Sequence, residues 1–419
     1  MLNPPLRPRR SLSAFALQWL LLCGAVAVLA GTASALFLFS LDWATRTRET
    51  HRWLILGLPL AGFAMGWLYL KWGRSVDAGN NLLIDEIHDP RQVVPLRMAP
   101  LILGSTVVSH LFGASVGREG TAVQMGGALA DQLCHHYKLS ASQRRVVLMT
   151  GISAGFASVF GTPLAGALFA LEVLAGPALR RFRWAALLPC TVAAIAADQV
   201  AHQLGLWLGV QHTLYSAGSL PALNTWSLTA MVLAGGLMGL TGRVFAISTH
   251  GLSAWMKQRI AYAPLRPLIG GALIAVIVWS AQADRYIGLG IPVIVQAFSQ
   301  PLAPWDFGAK LALTVASLGS GFKGGEVTPL FYIGATLGNA LAPWLQMPVG
   351  LMAAVGFVAV FAAAANTPLA CTVMAMELFG VPIGGFAAMA CAVSYLFSGR
   401  VSIYKAQRQR PAKALPKNT

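Results

Sequence analysis

The sequence is poor in charge, and poorest in negative charge: only 11% of its 419 residues are charged, and 14 acidic residues stand against 30 lysines and arginines. That excludes an ordinary soluble domain, in which about a quarter of the residues are charged. Cysteine is sparse too. Cys23, Cys134, Cys190, Cys371 and Cys391 stand singly in or beside apolar sequence, with no C-x-x-C pair. Neither a disulfide framework nor a zinc site is expected, and the cysteines read as small buried hydrophobes. No H-E-x-x-H occurs, which removes the ligands of a zinc protease. No metal or cofactor is therefore expected. What is abundant is apolar: 56% of the chain is hydrophobic, with a mean hydropathy of +0.64. The composition is that of an integral membrane protein in contact with the lipid bilayer.

Uncharged runs cover residues 11–41, 53–70, 98–116, 146–171, 204–242, 268–282 and 327–376. A span takes about 20 apolar residues, so the last run holds at least two helices and the chain on the order of ten or more. Gly and Pro interrupt many runs, which favours short, tilted or broken helices. The net charge of +16 is placed at the ends: Arg7, Arg9 and Arg10 precede the first run, and Arg400, Lys405, Arg408, Arg410, Lys413 and Lys417 follow the last. Such flanks are topology signals that hold both termini on the cytoplasmic side, and no nucleic-acid role is expected. Ala33-Ser34-Ala35 imitates a signal-peptide cleavage site, but the run continues to Leu41 and is long enough to be the first membrane helix.

The chain repeats itself. Thr162-Pro163-Leu164-Ala165 with Leu171-Glu172 returns as Thr367-Pro368-Leu369-Ala370 with Met376-Glu377. A glycine turn carrying Glu119 precedes Pro163 by 44 residues, and one carrying Glu326 precedes Pro368 by 42. Earlier still, Gly79-Asn80-Asn81-Leu82 and Gly290-Ile291-Pro292-Val293 stand 40 and 36 residues before those glutamates. The expected organisation is a terminus and first helix (1–49), a first membrane repeat (50–200), connecting apolar helices (201–259), a second repeat (260–400) and a basic tail (401–419). In transporters such halves meet at the bilayer midplane, where broken helices aim their N-termini at the substrate.

Unpaired N–H groups and a partial positive charge at a helix start favour an anion. Four of the six glutamates, Glu119, Glu172, Glu326 and Glu377, lie within otherwise apolar stretches. A carboxylate at bilayer depth costs at least ~2.5 kcal/mol and marks a site for ions or protons. Asn80, Asn81, Thr121, Thr328 and Tyr404 add hydrogen-bond donors of the kind that a desolvated anion needs. Each has a plainer role available. Asn80 and Asn81 are possible helix caps, Glu326 a partner of Lys323, Tyr404 an interfacial anchor, and Glu172 and Glu377 structural helix-end groups facing water.

These residues resemble the CLC family of chloride channels and proton-coupled anion antiporters. Gly117-Arg118-Glu119-Gly120 is similar to the family's G-[RK]-E-G-P motif, whose glutamate is the gate; Thr162 to Gly166 is similar to its P-L-A-G helix; and Ser402-Ile403-Tyr404 looks like the segment with its anion-coordinating tyrosine. The resemblance implies an all-α polytopic membrane protein, a homodimer with one pore per subunit, and two inverted repeats whose broken half-helices meet at the midplane.

The departures point to one branch. Asn80-Asn81 replaces the chloride-contacting serine segment, Thr121 replaces the motif's proline, Gly325-Glu326-Val327-Thr328-Pro329 gains a glutamate, and Val173 stands where many chloride antiporters have a second carboxylate. This set looks like the fluoride/proton antiporters of bacterial inner membranes. The implied site comprises Glu119 and Glu326 for gating and proton coupling, and Asn80, Asn81, Gly117, Arg118, Gly120, Thr121, Val327, Thr328 and Tyr404 for the anion. A chloride or general-anion transporter or channel is the alternative. A rival of another class, an intramembrane serine hydrolase, rests on two G-x-S-x-G matches at Ser115 and Ser153, with His110 near the first.

Overall fold

The computed structural model describes residues 12–174 and 180–408, so Arg7, Arg9, Arg10, Arg410, Lys413 and Lys417 of the expected topology signals lie outside the described residues. The chain is helical throughout. The order is α1 (Leu12–Thr50), α2 (Leu58–Leu68), α3 (Asn80–His88), α4 (Met98–Leu111), α5 (Glu119–His136), α6 (Ala141–Phe160), α7 (Pro163–Glu172) and α8 (Arg180–Leu208). It continues with α9 (Thr225–Arg259), α10 (Leu265–Ala281), α11 (Ile291–Ala297), α12 (Asp306–Ser320), α13 (Val327–Leu341), α14 (Val349–Ala365), α15 (Pro368–Phe379) and α16 (Gly384–Phe397). Among the described residues, four helical stretches are long and apolar enough to cross a membrane, and the shorter apolar helices include α4, α7, α10, α14 and α15.

Local chemistry sets the breaks. The uncharged run 146–171 becomes two helices because Gly161 takes a left-handed φ of +71° at the end of α6 and Pro163 opens α7. Run 327–376 becomes α13, α14 and most of α15. The first helix passes the end of its apolar run because the Asp42–Arg46 pair, one turn apart at 2.9 Å, carries it on. Two expected boundaries shift. Residues 201–259 are not a set of connecting helices but the end of α8, a non-helical segment over 209–224, and the single helix α9, which opens on an Asn224/Ser227 capping box. The tail does not begin at 401 either, since Ile403 and Tyr404 are buried and the Ile403 N–H donates to the Ala364 carbonyl at 2.9 Å.

The repeat in the sequence is a repeat in packing. In the first half Gly126 of α5 and Gly151 of α6 lie face to face, so that a Cβ on either would strike the other's carbonyl; in the second half Gly334 of α13 and Gly356 of α14 do the same. Small residues let the two backbones touch where lipid supplies no hydrophobic drive for association. The five cysteines are free and buried.

The halves are also joined by exchanged carboxylates. At the end of α7, Glu172 accepts from the Ala370 N–H at the start of α15 at 2.8 Å. At the end of α15, Glu377 accepts from the Leu164 and Ala165 N–H groups at the start of α7, at 2.9 and 2.8 Å. The two carboxylates were expected to face water; Glu172 is instead 4% exposed, and each satisfies helix-start donors of the opposite half. Their role is structural, as expected. Glu172→Ala should therefore lower stability by about 1–3 kcal/mol, and Glu172→Gln, which keeps an acceptor, by less. Thermal melts of the detergent-solubilised variants, followed by monodisperse elution, check this; equal midpoints for parent and alanine variant would refute it.

Candidate ion site

Two glycine turns meet at the centre of the molecule. The Gly117 N–H donates to the Gly325 carbonyl at 2.6 Å and the Gly325 N–H to the Gly117 carbonyl at 2.7 Å, forming the isolated antiparallel bridge that holds the start of α5 against the start of α13. Only glycine fits here: a Cβ on Gly325 would lie 2.7 Å from the Gly120 nitrogen, and one on Gly117 2.8 Å from Pro329.

Glu119 opens α5 and is 1% exposed. Its carboxylate does not turn into its own helix. One oxygen accepts from the Thr328 N–H at 3.0 Å and the Arg118 N–H at 3.2 Å, and the other accepts from the Thr328 hydroxyl. The Arg118 guanidinium is 3.4 Å away. Glu119 thus occupies the start of α13 as a bound anion would, held by backbone donors, a hydroxyl and the helix dipole.

One cavity reaches this carboxylate, and another is lined by Glu326 at the start of the opposite helix. The larger, about 580 Å³, is lined by Gly79, Asn80, Glu326, Tyr404 and Lys405 among others. The smaller, about 10 Å³, is lined by Arg118, Glu119, His212, Tyr215 and Thr328, with Phe160, Phe331 and Phe357 as its apolar wall. Phe331 and Phe357 stack at 3.8 Å.

The asparagines divide their work. Gly79, at a φ of +59°, turns the chain so that Asn80 is the first residue of α3, and neither asparagine caps that helix. Asn80 is buried, and its Oδ1 has no hydrogen-bond partner among the described residues. Asn81 accepts from the Ala406 N–H at 2.9 Å and so ties down the segment carrying Tyr404. A Cβ placed on Gly120 would sit 3.1 Å from the Asn80 amide nitrogen and 3.4 Å from a Glu326 carboxyl oxygen, which puts both groups over one glycine. That glutamate oxygen, Oε2, is also without a partner among the described residues. Each buried orphan polar atom costs about 1–3 kcal/mol, and since both are acceptor oxygens, what they lack is a proton or a donor.

The remaining expectations fare unevenly. Gly117, Gly120 and Val327 contribute backbone at the crossing, and Val327 is 1% exposed. Tyr404 is 5% exposed with its ring 6.3 Å from Phe169, so it is not an interfacial anchor. Thr121 does not reach the site: its hydroxyl is paired with that of Thr106 at 2.7 Å, and it lines neither cavity. Glu326 does not pair with Lys323, whose ammonium goes to Asp77 at 2.6 Å, nor does it bond Thr328, whose hydroxyl is given to Glu119. The hydrolase reading fails on geometry. Ser115 donates to the Tyr286 carbonyl, Ser153 to the Cys190 carbonyl, and His110 Nδ1 bonds the Thr106 carbonyl. The sequence reading missed the phenylalanine wall, His212 and Tyr215, because aromatic residues in apolar runs carry no signal beyond core.

The chain matches the Voltage gated chloride channel family over residues 61–399. It is 64% identical over 397 residues, 93% of this chain and 86% of the other, to a "Chloride/fluoride channel protein" of Pseudomonas syringae pv. tomato. Among solved structures it is similar to a CLC-type fluoride/proton antiporter, with a TM-score of 0.89 at 36% identity covering 94% of this chain and 98% of that one. It shares the fold of a slow cyanobacterial Cl⁻/H⁺ antiporter, with a TM-score of 0.78 at 20% identity and 96% and 97% coverage.

The two asparagines generate a separable test. Asn80→Ala removes a donor beside the orphaned Glu326 oxygen and should slow anion flux into liposomes by roughly ten-fold, within the range that 1–3 kcal/mol allows. Asn81→Ala should instead cost about 1 kcal/mol of stability, with flux near that of the parent. Equal flux defects in the two variants would contradict this division.

Proposed function

Because the chain belongs to the voltage gated chloride channel (CLC) family, we propose that it is a membrane antiporter that exports fluoride in exchange for protons, with Glu119 as the gate. One observation carries the reading: a buried carboxylate occupies an anion-type position at the start of the opposite helix, at the wall of a small cavity. The 36% identical structural relative, a fluoride/proton antiporter, supports the choice of ions. So does the replacement of the family's chloride-contacting segment by Asn80-Asn81.

The coupling follows from mutual exclusion. Charged, Glu119 competes with the anion for the Thr328 donors; protonated, it loses its attraction to the start of α13 and vacates the place. Each exchange of carboxylate for fluoride then carries a proton in the opposite sense. Val173 cannot relay a proton, so Glu326, a buried carboxyl that lines the other cavity beside the glycine crossing, takes the complementary part. In its protonated form it donates to the anion, or to the displaced gate, beside the Asn80 amide. Tyr404 and Arg118 complete the donors at the two ends. The protein works as a homodimer in the bacterial inner membrane, with both termini in the cytoplasm and the halves 50–200 and 260–400 inverted relative to one another.

Three substitutions at two positions test the scheme. Glu119→Gln cannot cycle a proton, so fluoride-driven proton movement should vanish in proteoliposomes read with fluoride and pH electrodes; normal proton pumping by this variant would end the gate assignment. Glu326→Ala should impair fluoride flux more than Glu326→Gln, which keeps a donor and the side-chain volume. Parent-like flux and coupling in both would reduce Glu326 to a structural residue. Chloride carried in preference to fluoride by the parent protein would replace the fluoride reading with the general-anion one.

A further inference from the structure

Beside the large cavity, and sharing Asp77, Lys257 and Lys323 with its wall, lies a second recess of about 330 Å³. It sits between the end of α2 with the turns that follow it, the corner joining α9 to α10, and the loop from Gly319 to Lys323. Its lining carries four cations, Arg74, Lys257, Arg266 and Lys323, against a single carboxylate, Asp77. Lys323 is paired with that carboxylate, whereas Arg74, Lys257 and Arg266 make no ion pair among the described residues.

Arg74 and Lys257 are exposed and Arg266 is half-buried, and both arginines are braced against backbone. Arg266 is braced by its Nε to the Ile260 carbonyl at 2.9 Å, and Arg74 by its Nε to the Leu70 carbonyl at 2.9 Å. Fixing a guanidinium by one edge leaves the other edge free to fork onto an oxyanion. Lys257 lies in the last turn of α9, where its charge offsets the partial negative charge of the helix end. Mutual repulsion among cations confined in so small a space is relieved by a polyvalent anion.

The surroundings say where that anion comes from. Trp67, Trp72, Trp255 and Tyr262 are all exposed around this end of the helices, Trp67 and Trp72 pack edge to face at 5.7 Å, and the Lys71 ammonium lies 4.3 Å above the Trp67 ring. Exposed tryptophan and tyrosine with adjacent lysine mark the headgroup level of a bilayer, and basic recesses between helices at that level take lipid phosphates. We propose that this recess binds the phosphate of an anionic phospholipid headgroup, with Lys257, Arg266 and Arg74 as its ligands. The proposal concerns none of the residues assigned to the gate, and it stands whichever anion the protein carries.

Full-length protein purified with added cardiolipin or phosphatidylglycerol, against phosphatidylcholine as the neutral reference, tests it by native mass spectrometry of retained lipid. Lys257→Gln should lower retained cardiolipin roughly fivefold and Lys257→Gln with Arg74→Gln further, whereas phosphatidylcholine should not change. Lys257→Arg should retain lipid like the parent, which separates lost charge from misfolding, and so should Arg259→Gln, which alters a cation that does not line the recess. Inorganic pyrophosphate supplies the other arm. No displacement of cardiolipin by millimolar pyrophosphate supports the lipid as the source; displacement that itself requires Lys257 supports the same phosphate site with a soluble occupant. Equal cardiolipin retention by the parent and the double variant overturns the proposal.

Discussion

The structure hangs on two hydrogen bonds between glycines. Gly117 and Gly325 exchange N–H and carbonyl at the crossing of two turns that are far apart in the sequence. Because neither has a side chain, the first turns of α5 and α13 approach closely enough for a carboxylate on one to reach the donors of the other. Without that crossing Glu119 would face its own helix, and Thr328 would have no anionic partner. Burying a carboxylate at 1% exposure is tolerable only where several donors converge on it, and here the Thr328 and Arg118 amides and the Thr328 hydroxyl do so, with the Arg118 guanidinium as an ion-pair neighbour at 3.4 Å.

The second half of the site is incomplete by the same accounting. Asn80 and Glu326 bring polar atoms to one glycine and leave them unmatched. Satisfied groups belong to the scaffold, as Thr121 does once paired with Thr106, whereas the unmatched oxygens of Asn80 and Glu326 stay open to a proton or a donor. This criterion also distinguishes Asn80 from Asn81, which sequence alone leaves equivalent.

Much was legible in the residues because the chemistry is local. A lone glutamate between glycines, and its counterpart two hundred positions later, announce a buried helix start with an anionic visitor. The repeat of Thr-Pro-Leu-Ala with a downstream glutamate announces the paired helices α7 and α15. What stayed hidden depends on which partner a side chain finds across the fold. Lys323 is three residues from Glu326 and bonds Asp77 instead, and Glu172 and Glu377 look like helix ends in water but reach across to amides about two hundred residues away. Local pattern fixes which groups are costly to bury; only tertiary packing decides which of them answer one another. The length of α9 and the docking of residues 401–406 were likewise set by long-range contacts that leave no periodic trace.

The exchanged carboxylates of α7 and α15 also impose an order on biosynthesis. The amides of Leu164 and Ala165 are made 213 and 212 residues before Glu377, the group that receives them. At 5–20 residues per second of chain growth, that gap lasts roughly 10 to 40 seconds. Throughout it the nascent first half has a helix start without its acceptor and a glycine turn without its opposite number. The emerging chain must therefore be sheltered by the insertion machinery, or by interfacial water, until its later half arrives to complete it.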